Sequence, residues 1–183
     1  MNLKNKLSLT YARSLMVTGA ISESCREVEI EICNHISQDD NKIIVEFGMG
    51  QGNITREILK RMSPTSKLYA FEVKESFCND AKRTILDDRL VIINDGAENL
   101  QKHIPGEINA VISSIPLSFF SKEKRSTIIN GAYNLLEDNA YYSQLLYTKI
   151  HLKKFKRIFE DCYIKSHKNL FPEHVYHCKK TRL

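Results

Sequence analysis

The amino-acid sequence predicts an α/β protein built on one mostly parallel β-sheet with helices on both faces. From Ile43 onward, short β-branched runs alternate with helical patterns, and this βαβ repetition is typical of a parallel sheet. Three alternating glycines, Gly48, Gly50 and Gly52, mark the first junction between a strand and a helix. With 183 residues, 42% of them hydrophobic, the chain suits one compact domain.

Each predicted strand is a short apolar run, and each predicted helix carries apolar residues at helical spacing. Five strands are expected to be parallel. Two later runs, separated by L-F-P, are expected to form an antiparallel pair at the edge, which makes a seven-stranded sheet. The predicted strands cover residues 42–47, 67–73, 90–94, 108–114, 140–148, 162–166 and 174–179, and the predicted helices cover residues 23–36, 53–62, 75–86 and 122–136.

Charge and cysteine content limit the classes of partner and compartment. The formal charge of +5 favours an anionic partner, which could be nucleic acid, a phosphorylated metabolite or an anionic membrane surface. Five cysteines without a C-x-x-C pair predict free thiols in a reducing compartment and no metal site. Arg13 interrupts the apolar stretch near the N-terminus, and no run is long enough to span a bilayer. We therefore expect a cytoplasmic protein, with peripheral attachment to the inner face of a membrane left open.

The run E-F-G-M-G-Q-G at residues 46–52 predicts a buried strand, a tight glycine turn and the start of a helix. Glu72 ends the second apolar run, twenty residues after Gly52. The glycines alone could form an ordinary tight loop. The strand before them, the helix after them and the acid at this distance together favour a nucleotide-type pocket.

This E-x-G-x-G-x-G spacing resembles motif I of the class I S-adenosylmethionine-dependent methyltransferases, which have a Rossmann-like fold. The resemblance implies S-adenosyl-L-methionine as the cofactor, with the glycines beside its methionine part and Glu72 on its ribose hydroxyls. The residues that it implies for cofactor binding are Glu46, Gly48, Met49, Gly50, Gly52, Glu72, Val73, Asp95, Gly96, Ala97 and Ser113.

Other segments resemble the bacterial phospholipid N-methyltransferases, which act on phosphatidylethanolamine. The resemblance covers roughly residues 19–179. Its carriers are G-A-I-S-E-S at residues 19–24, S-S-I-P-L at 113–117 with Phe119 and Phe120 after it, Y-Y-S-Q-L-L-Y at 141–147, and N-L-F-P-E-H-V-Y at 169–176.

The related rRNA adenine dimethyltransferases share the glycine motif. They carry an aromatic residue after the proline of the fourth motif, where a flipped base stacks, whereas this chain has Leu117. They also add a helical domain after the sheet, and we expect no such domain in this sequence. We therefore expect a phospholipid or another amine as the substrate, keep adenine in RNA as the less favoured alternative, and keep a cofactor-binding protein without turnover as a further one.

The position of Asp95 differs from the family pattern. The family has an aspartate directly before an alanine, close to the adenine amino group, and here the matching pair is Gly96-Ala97. Asp95 lies one position earlier. It could contact the adenine amino group or cap the turn that follows.

The S-I-P-L turn is the predicted acceptor site, because methyl transfer to an amine requires groups that hold the nitrogen in line with the methyl group. Pro116 fixes the backbone, and the carbonyls of Ser114 and Ile115 could accept a hydrogen bond from the amine. An ordinary strand-ending turn is the alternative. Tyr147, with Phe119, Phe120 and Tyr142, could form an aromatic cage for a methylammonium group, or these rings could belong to the core. The histidines at 151, 174 and 177 are weaker proton-acceptor candidates.

Two segments combine basic and apolar residues. Residues 149–159 place Leu152, Phe155, Ile158 and Phe159 on one helical face, which could lie on an anionic lipid surface or pack on the sheet. Residues 3–17 pose the same choice, and there the membrane interpretation is favoured. We expect residues 1–22 to form an N-terminal amphipathic segment and residues 23–183 to form the methyltransferase domain.

Overall fold

A computed structural model of the protein describes residues 25–168 and 172–181. The predicted N-terminal segments at residues 3–17 and 19–24 and the first part of the late motif, residues 169–171, lie outside this range. The described chain forms one seven-stranded sheet in the order β3-β2-β1-β4-β5-β7-β6, with helices on both faces. The predicted fold class is therefore confirmed.

Strands β1 to β5 are parallel, and β7 runs antiparallel to both β5 and β6. The antiparallel pair predicted for the edge is present, with β7 beside β5 and β6 outermost. The strands are β1 (Ile43–Phe47), β2 (Lys67–Phe71), β3 (Leu90–Ile93), β4 (Ile108–Ser113), β5 (Leu136–Leu146), β6 (Asp161–Lys168) and β7 (Pro172–Lys179).

The helices of the described chain pack apolar residues against the two faces of the sheet. One face is covered by the first three helices through residues such as Val28, Ile58 and Ala81, and the other through Ile128 and Phe155. The helices are α1 (Arg26–Ile32), α2 (Asn53–Arg61), α3 (Glu75–Thr84), α4 (Lys122–Leu135) and α5 (Leu152–Phe155), with 3₁₀ turns at Ala97–Lys102 and Leu117–Phe119. No helix in this described part is both long and apolar enough to cross a membrane.

Two expectations about local structure are corrected. Strand β5 begins at Leu136, directly after α4, although the sequence predicted its start at residue 140. Asn139 takes a left-handed backbone conformation there, with φ of 66°, and the register with β4 is irregular between Ile108 and Ala110. Asparagine tolerates this conformation better than most residues, which lets the strand continue through the irregularity.

The basic segment at residues 149–159 is not a lipid-facing helix. Only Leu152–Phe155 is α-helical, and the rings of Phe155 and Phe159 are buried against the sheet, with Leu152 and Ile158 packed on the same cluster. The apolar residues that suggested membrane contact are therefore part of the core. The packed alternative holds for this segment, and its cations at positions 149, 153, 156 and 157 are exposed, whereas Lys154 is half-buried.

Candidate active site

The predicted cofactor residues converge because they follow neighbouring parallel strands. Strands β1, β2, β3 and β4 end at Phe47, Phe71, Ile93 and Ser113, and all four ends lie at one edge of the sheet. Open α/β sheets bind ligands at the carboxyl ends of their strands. The binding site lies where successive strands are added on opposite sides of the first strand. The order β3-β2-β1-β4 places this point between β1 and β4.

The glycine turn closes the end of β1. Gly48 and Gly50 have φ of 81° and 55°, a backbone region that side chains disfavour. The N–H groups of Gly48 and Met49 both donate to the Phe71 carbonyl, at 2.9 and 3.1 Å, so the turn is fixed to the end of β2. A Cβ added at Gly50 would meet no heavy atom within 4 Å. This face of the turn is therefore open enough for a ligand to approach the backbone.

Glu72 connects the turn with the loop after β2. Its Oε2 accepts the Gly50 N–H at 2.9 Å and its Oε1 accepts the Lys74 N–H at 2.8 Å. A carboxylate offers about four acceptor positions, so lone pairs remain for two hydroxyls. The side chain of Val73 is 73% exposed beside it and offers an apolar surface to a flat base. This pairing of acid and apolar side chain fits a nucleoside.

Glu46 is a buried acid with one oxygen unused. Its Oε2 accepts the Thr55 hydroxyl at 2.7 Å, whereas its Oε1 is buried and has no hydrogen-bond partner. Burial, and to a lesser extent the charge of Glu72, raises the pKa of Glu46 to about 8, against the lowering effect of the Thr55 hydrogen bond. A cation that reaches the free oxygen, such as the amino group of an amino acid, would favour the ionised form of this acid and pair with it.

Asp95 caps the turn after β3. Its Oδ1 accepts the Gly96 N–H at 2.7 Å and the Asn99 amide at 2.8 Å, and its Oδ2 lies 2.8 Å from His103 Nε2. The hydrogen bonds from His103, Asn99 and the Gly96 N–H lower the pKa of Asp95 to about 2. Three of the roughly four acceptor positions of this carboxylate are thus used within the chain. The geometry favours the capping role over contact with adenine.

A different acid lies over Gly96. A Cβ at Gly96 would collide with the Glu98 carboxylate, and Glu98 Oε1 accepts from Lys124 Nζ at 2.6 Å. Ala97 is buried beneath this turn. The sequence reasoning missed Glu98, although glycine in place of the family's aspartate is the signal that another side chain uses that space.

The acceptor turn is bound directly to the glycine turn. The Ser114 N–H donates to the Phe47 carbonyl at 2.9 Å, and its hydroxyl donates to the Gly48 carbonyl at 2.8 Å. The hydroxyl oxygen keeps lone pairs that can accept an N–H group. The Ile115 carbonyl already accepts two donors, Leu117 N and Gln144 Nε2, each at 2.9 Å. Ser114 is therefore the better acceptor for an amine, and the role predicted for the Ile115 carbonyl is not favoured.

The aromatic residues near this turn divide into two groups. Tyr142 is fully buried, packs on Phe155 and Phe159, and donates to Gln144 Oε1 at 2.9 Å, so it belongs to the core and not to a cage. Phe119 and Phe120 directly follow the turn that contains Pro116, Tyr147 follows the end of the neighbouring strand β5, and all three are half-buried. Burial, and then the charge of Glu173, raises the pKa of Tyr147 to about 12. Its phenol therefore stays neutral and can present a ring and a hydroxyl.

Two of the three candidate histidines lie outside this cluster. His174 Nδ1 lies 3.0 Å from Ser166 Oγ on the β6–β7 pair. His177 is fully buried, with its ring nitrogens 2.9 Å from Ser143 Oγ and 3.2 Å from Glu31 Oε1. His151 alone approaches the acceptor turn, with Nε2 at 3.0 Å from Ser118 Oγ. In the described residues, no group of three histidine, cysteine or acidic side chains has the geometry of a metal site.

Comparison with known proteins decides the family. A family model described as a methyltransferase domain matches residues 44–139, which is more than half of the chain. The chain belongs to this methyltransferase family. The matched range includes the glycine turn, Glu72 and the acceptor turn of the methyltransferase.

The methyltransferase is also similar to individual proteins. An ornithine lipid N-methyltransferase from Singulisphaera acidiphila is 22% identical over 158 residues, which is 81% of each chain. An rRNA methylase from Streptococcus thermophilus is 20% identical with a TM-score of 0.67, over 89% of this chain and 100% of that one. The N-methyltransferase NodS from Bradyrhizobium japonicum, solved with S-adenosyl-L-homocysteine, is 10% identical with a TM-score of 0.68, over 93% and 98%. At these identities the solved structures establish the fold.

The residues present fit S-adenosylmethionine, the cofactor of this methyltransferase. The open face at Gly50 leaves space for the ligand, and the unpaired buried oxygen of Glu46 suits its amino group. Glu72 has lone pairs for the ribose hydroxyls, and Val73 offers its apolar surface to adenine. The cofactor supplies an electrophilic methyl group, and the protein supplies binding and orientation.

Proposed function

We propose that this enzyme N-methylates the headgroup amine of a phosphatidylethanolamine-type phospholipid. The observation that carries the proposal is the acceptor turn, where Ser114 offers a hydroxyl oxygen with free lone pairs, with half-buried Phe119 and Phe120 a few residues further along the chain and Tyr147 after the end of the neighbouring strand β5. This surface suits a neutral amine that becomes a methylammonium group, since a cation is attracted to aromatic faces. Similarity to an ornithine lipid N-methyltransferase supports an amine-bearing lipid as the substrate class.

The chain's part in the reaction is to position the amine. The Ser114 oxygen accepts one N–H of the neutral amine and directs the nitrogen lone pair toward the cofactor side of the turn. The cofactor would supply the methyl group to this nitrogen and keep its sulfur as a thioether, and the resulting ammonium would lose a proton to water. A neutral Tyr147 ring can face the cation before the product leaves.

Adenine in RNA is the second candidate, favoured by the positive net charge and by structural similarity to an rRNA methylase. The position after Pro116 counts against it. Leu117 is only 1% exposed and packs in the core, so it offers no face on which a flipped base could stack. A lipid headgroup amine is small and needs no stacking partner, so the burial of Leu117 does not count against a lipid substrate.

A lipid substrate stays in the bilayer, so the enzyme must approach the membrane. We propose that it acts as a peripheral protein at the inner face of the cytoplasmic membrane, with residues 3–17 supplying cations and apolar side chains for docking. Co-sedimentation with anionic and neutral vesicles, for the full chain and for a chain that starts at residue 18, tests this step. Equal binding of both forms to anionic vesicles would refute docking through this segment.

The test of the function is lipid mass spectrometry of cells with and without the full chain. Monomethyl, dimethyl or trimethyl ethanolamine lipids should appear only in cells with the chain, and Ser114→Ala should reduce them while S-adenosylhomocysteine affinity stays close to that of the parent. Lys60→Gln, an exposed substitution on α2, serves as the control variant. Unchanged lipids together with methylated adenine in RNA would replace the proposal by its second candidate.

A further inference from the structure

A group of cations lies next to the acceptor turn. His151 Nε2 contacts Ser118 Oγ at 3.0 Å, and the His151 carbonyl accepts the Lys154 N–H at 2.9 Å at the start of α5. Arg125 lies in the first turns of α4, with its N–H bonded to the Ser121 carbonyl at 3.0 Å. Burial, and then the positive charges of Arg125 and Lys154, lowers the pKa of His151, so both cations lie near the imidazole that contacts the turn.

The cations Lys122, Arg125 and Lys154 interact with one another, and no salt bridge in the described chain includes them. Burial lowers the pKa of Lys154, and the positive charges of Arg125 and Lys122 lower it further. Within residues 25–168 and 172–181, none of these three cations forms an ion pair with a carboxylate. The charges of Lys122 and Arg125 act on Glu123, but this acid is exposed. Hydrogen bonds from its own backbone N–H and from Ser121 lower its pKa more than these two charges do.

Lys124 provides a contrast within the same helix. Its Nζ lies 2.6 Å from Glu98 Oε1, so its charge is neutralised inside the chain. Lys122, Arg125 and Lys154 have no such close carboxylate, and Arg125 and Lys154 are half-buried whereas Lys122 is exposed. Like charges that are held together and partly removed from water raise the free energy of the folded state unless an anion joins them.

One donor of Arg125 is already buried without an acceptor. Its Nε lies out of contact with solvent and has no hydrogen-bond partner among the described residues. An unsatisfied buried donor destabilises the folded protein, more so on a charged group, and native structures rarely leave one unexplained. A guanidinium offers its donors in a fork that matches two oxygens of a phosphate.

We propose that Arg125, Lys154 and Lys122 form a subsite for the phosphate of the substrate, beside the amine held at Ser114. This inference rests on the proposed function, which it deepens by requiring that the acceptor amine and a phosphate belong to one headgroup. Arg125 binds two phosphate oxygens, and the two lysines neutralise the remaining charge. Ethanolamine phosphates have this combination, whereas a free amine without an anion leaves the subsite empty.

Binding of small headgroup fragments tests the subsite without requiring turnover. The full chain, saturated with S-adenosylhomocysteine, is titrated with O-phosphoethanolamine, ethanolamine and inorganic phosphate by calorimetry. We expect O-phosphoethanolamine to bind at least tenfold more tightly than ethanolamine, with inorganic phosphate as its competitor. Arg125→Gln and Lys154→Gln should each abolish this preference, while Lys60→Gln should retain it.

Steady-state kinetics then distinguishes the headgroup from the membrane as the source of the anion. With phosphatidylethanolamine in neutral detergent micelles, Arg125→Gln should raise KM about tenfold with a smaller change in kcat and unchanged cofactor affinity. Vesicles that contain added anionic lipid should not restore KM, because the subsite binds the substrate's own phosphate.

The outcomes separate the two proposals. Fragment binding that is lost in both variants, without any lipid methylation by the parent, would support the phosphate subsite and refute the proposed function. Equal binding of O-phosphoethanolamine and ethanolamine to the parent, or unchanged preference in Arg125→Gln, would overturn the subsite. A single-stranded RNA whose affinity falls in the same variants, with no effect on the fragments, would also overturn it, since the cations would then serve an RNA backbone.

Discussion

The pH dependence of stability above pH 6.5 should be controlled by Glu46. Its carboxyl group is buried at the end of β1, with the Thr55 hydroxyl as its one donor. Burial and the charge of Glu72 raise its pKa from 4.5 to about 8. Between these values the folded protein holds a proton that the unfolded chain has released. The stability from this proton is fully present below pH 4.5 and is lost as pH rises through about 8.

The expected magnitude follows from the width of that window. Each pH unit in which the proton counts differ by one changes the free energy of unfolding by about 1.4 kcal/mol. From pH 6.5 to pH 8, Glu46 should therefore lower the stability of the ligand-free protein by about 2 kcal/mol. His177 is a buried base with a lowered pKa, so its contribution changes below pH 6.5 and does not overlap with this range.

Urea unfolding at pH 6.5, 7.0, 7.5 and 8.0 measures this difference. Glu46→Gln cannot titrate, so the stability of the variant should lose this slope. Glu57→Gln is the matched control. Burial raises the pKa of Glu57, but hydrogen bonds from Arg61 and Arg26 outweigh burial and lower this pKa, so Glu57 stays ionised throughout. Parallel pH profiles for Glu46→Gln and the parent would refute the reasoning.

Three further predictions concern the cofactor site and the buried His177. Glu72→Ala should lose the two backbone N–H contacts and weaken S-adenosylhomocysteine binding by roughly 1.5–3 kcal/mol, measured by calorimetry, whereas unchanged affinity would exclude its ribose role. Asp95→Ala should lower the melting temperature with affinity close to that of the parent, and a large loss of affinity would restore the adenine role. Burial, and then the charge of His35, lowers the pKa of His177 to about 4, so the contribution of His177 to stability should fall as pH drops from 6.5, opposite in sign to the Glu46 contribution, and urea unfolding of His177→Gln should show that this contribution is lost.

The sequence predicted the sheet well because buried parallel strands are short and β-branched and stand between regular helical patterns. Periodicity failed at residues 149–159, where Leu152, Phe155 and Ile158 have helical spacing but the chain makes only one helical turn. The spacing correctly identified the apolar side chains, and their burial against Tyr142 and the sheet decided the backbone. Local pattern cannot show which partner buries an apolar face.

The site was predicted where its residues follow a strand end and was missed where distant residues combine. Glu46, Gly48 and Glu72 are recognisable from spacing alone, because each terminates a strand or forms the turn after it. Gln144 donates to the Ile115 carbonyl across 29 positions, and the charge of Arg125 on α4 helps lower the pKa of Lys154 on α5. These contacts depend on the register of β4 with β5 and on the packing of α4, neither of which a motif contains.

Cofactor and acceptor positions form one rigid unit, because a single glycine joins them. A Cβ at Gly48 would lie 2.9 Å from Ile115 Cγ2 and 3.2 Å from Ser114 Oγ, so glycine permits the closest approach of the two turns. The Ser114 hydroxyl then bonds to the Gly48 carbonyl at 2.8 Å, which fixes the oxygen that would accept the amine relative to the backbone that would hold the cofactor. In-line transfer requires the nitrogen, methyl and sulfur atoms to be collinear within a short distance. The sheet already holds the ends of β1 and β4 in place, and the direct contact between the two turns therefore fixes this alignment. Recognition of the rest of the substrate is left to the surrounding aromatic and cationic residues.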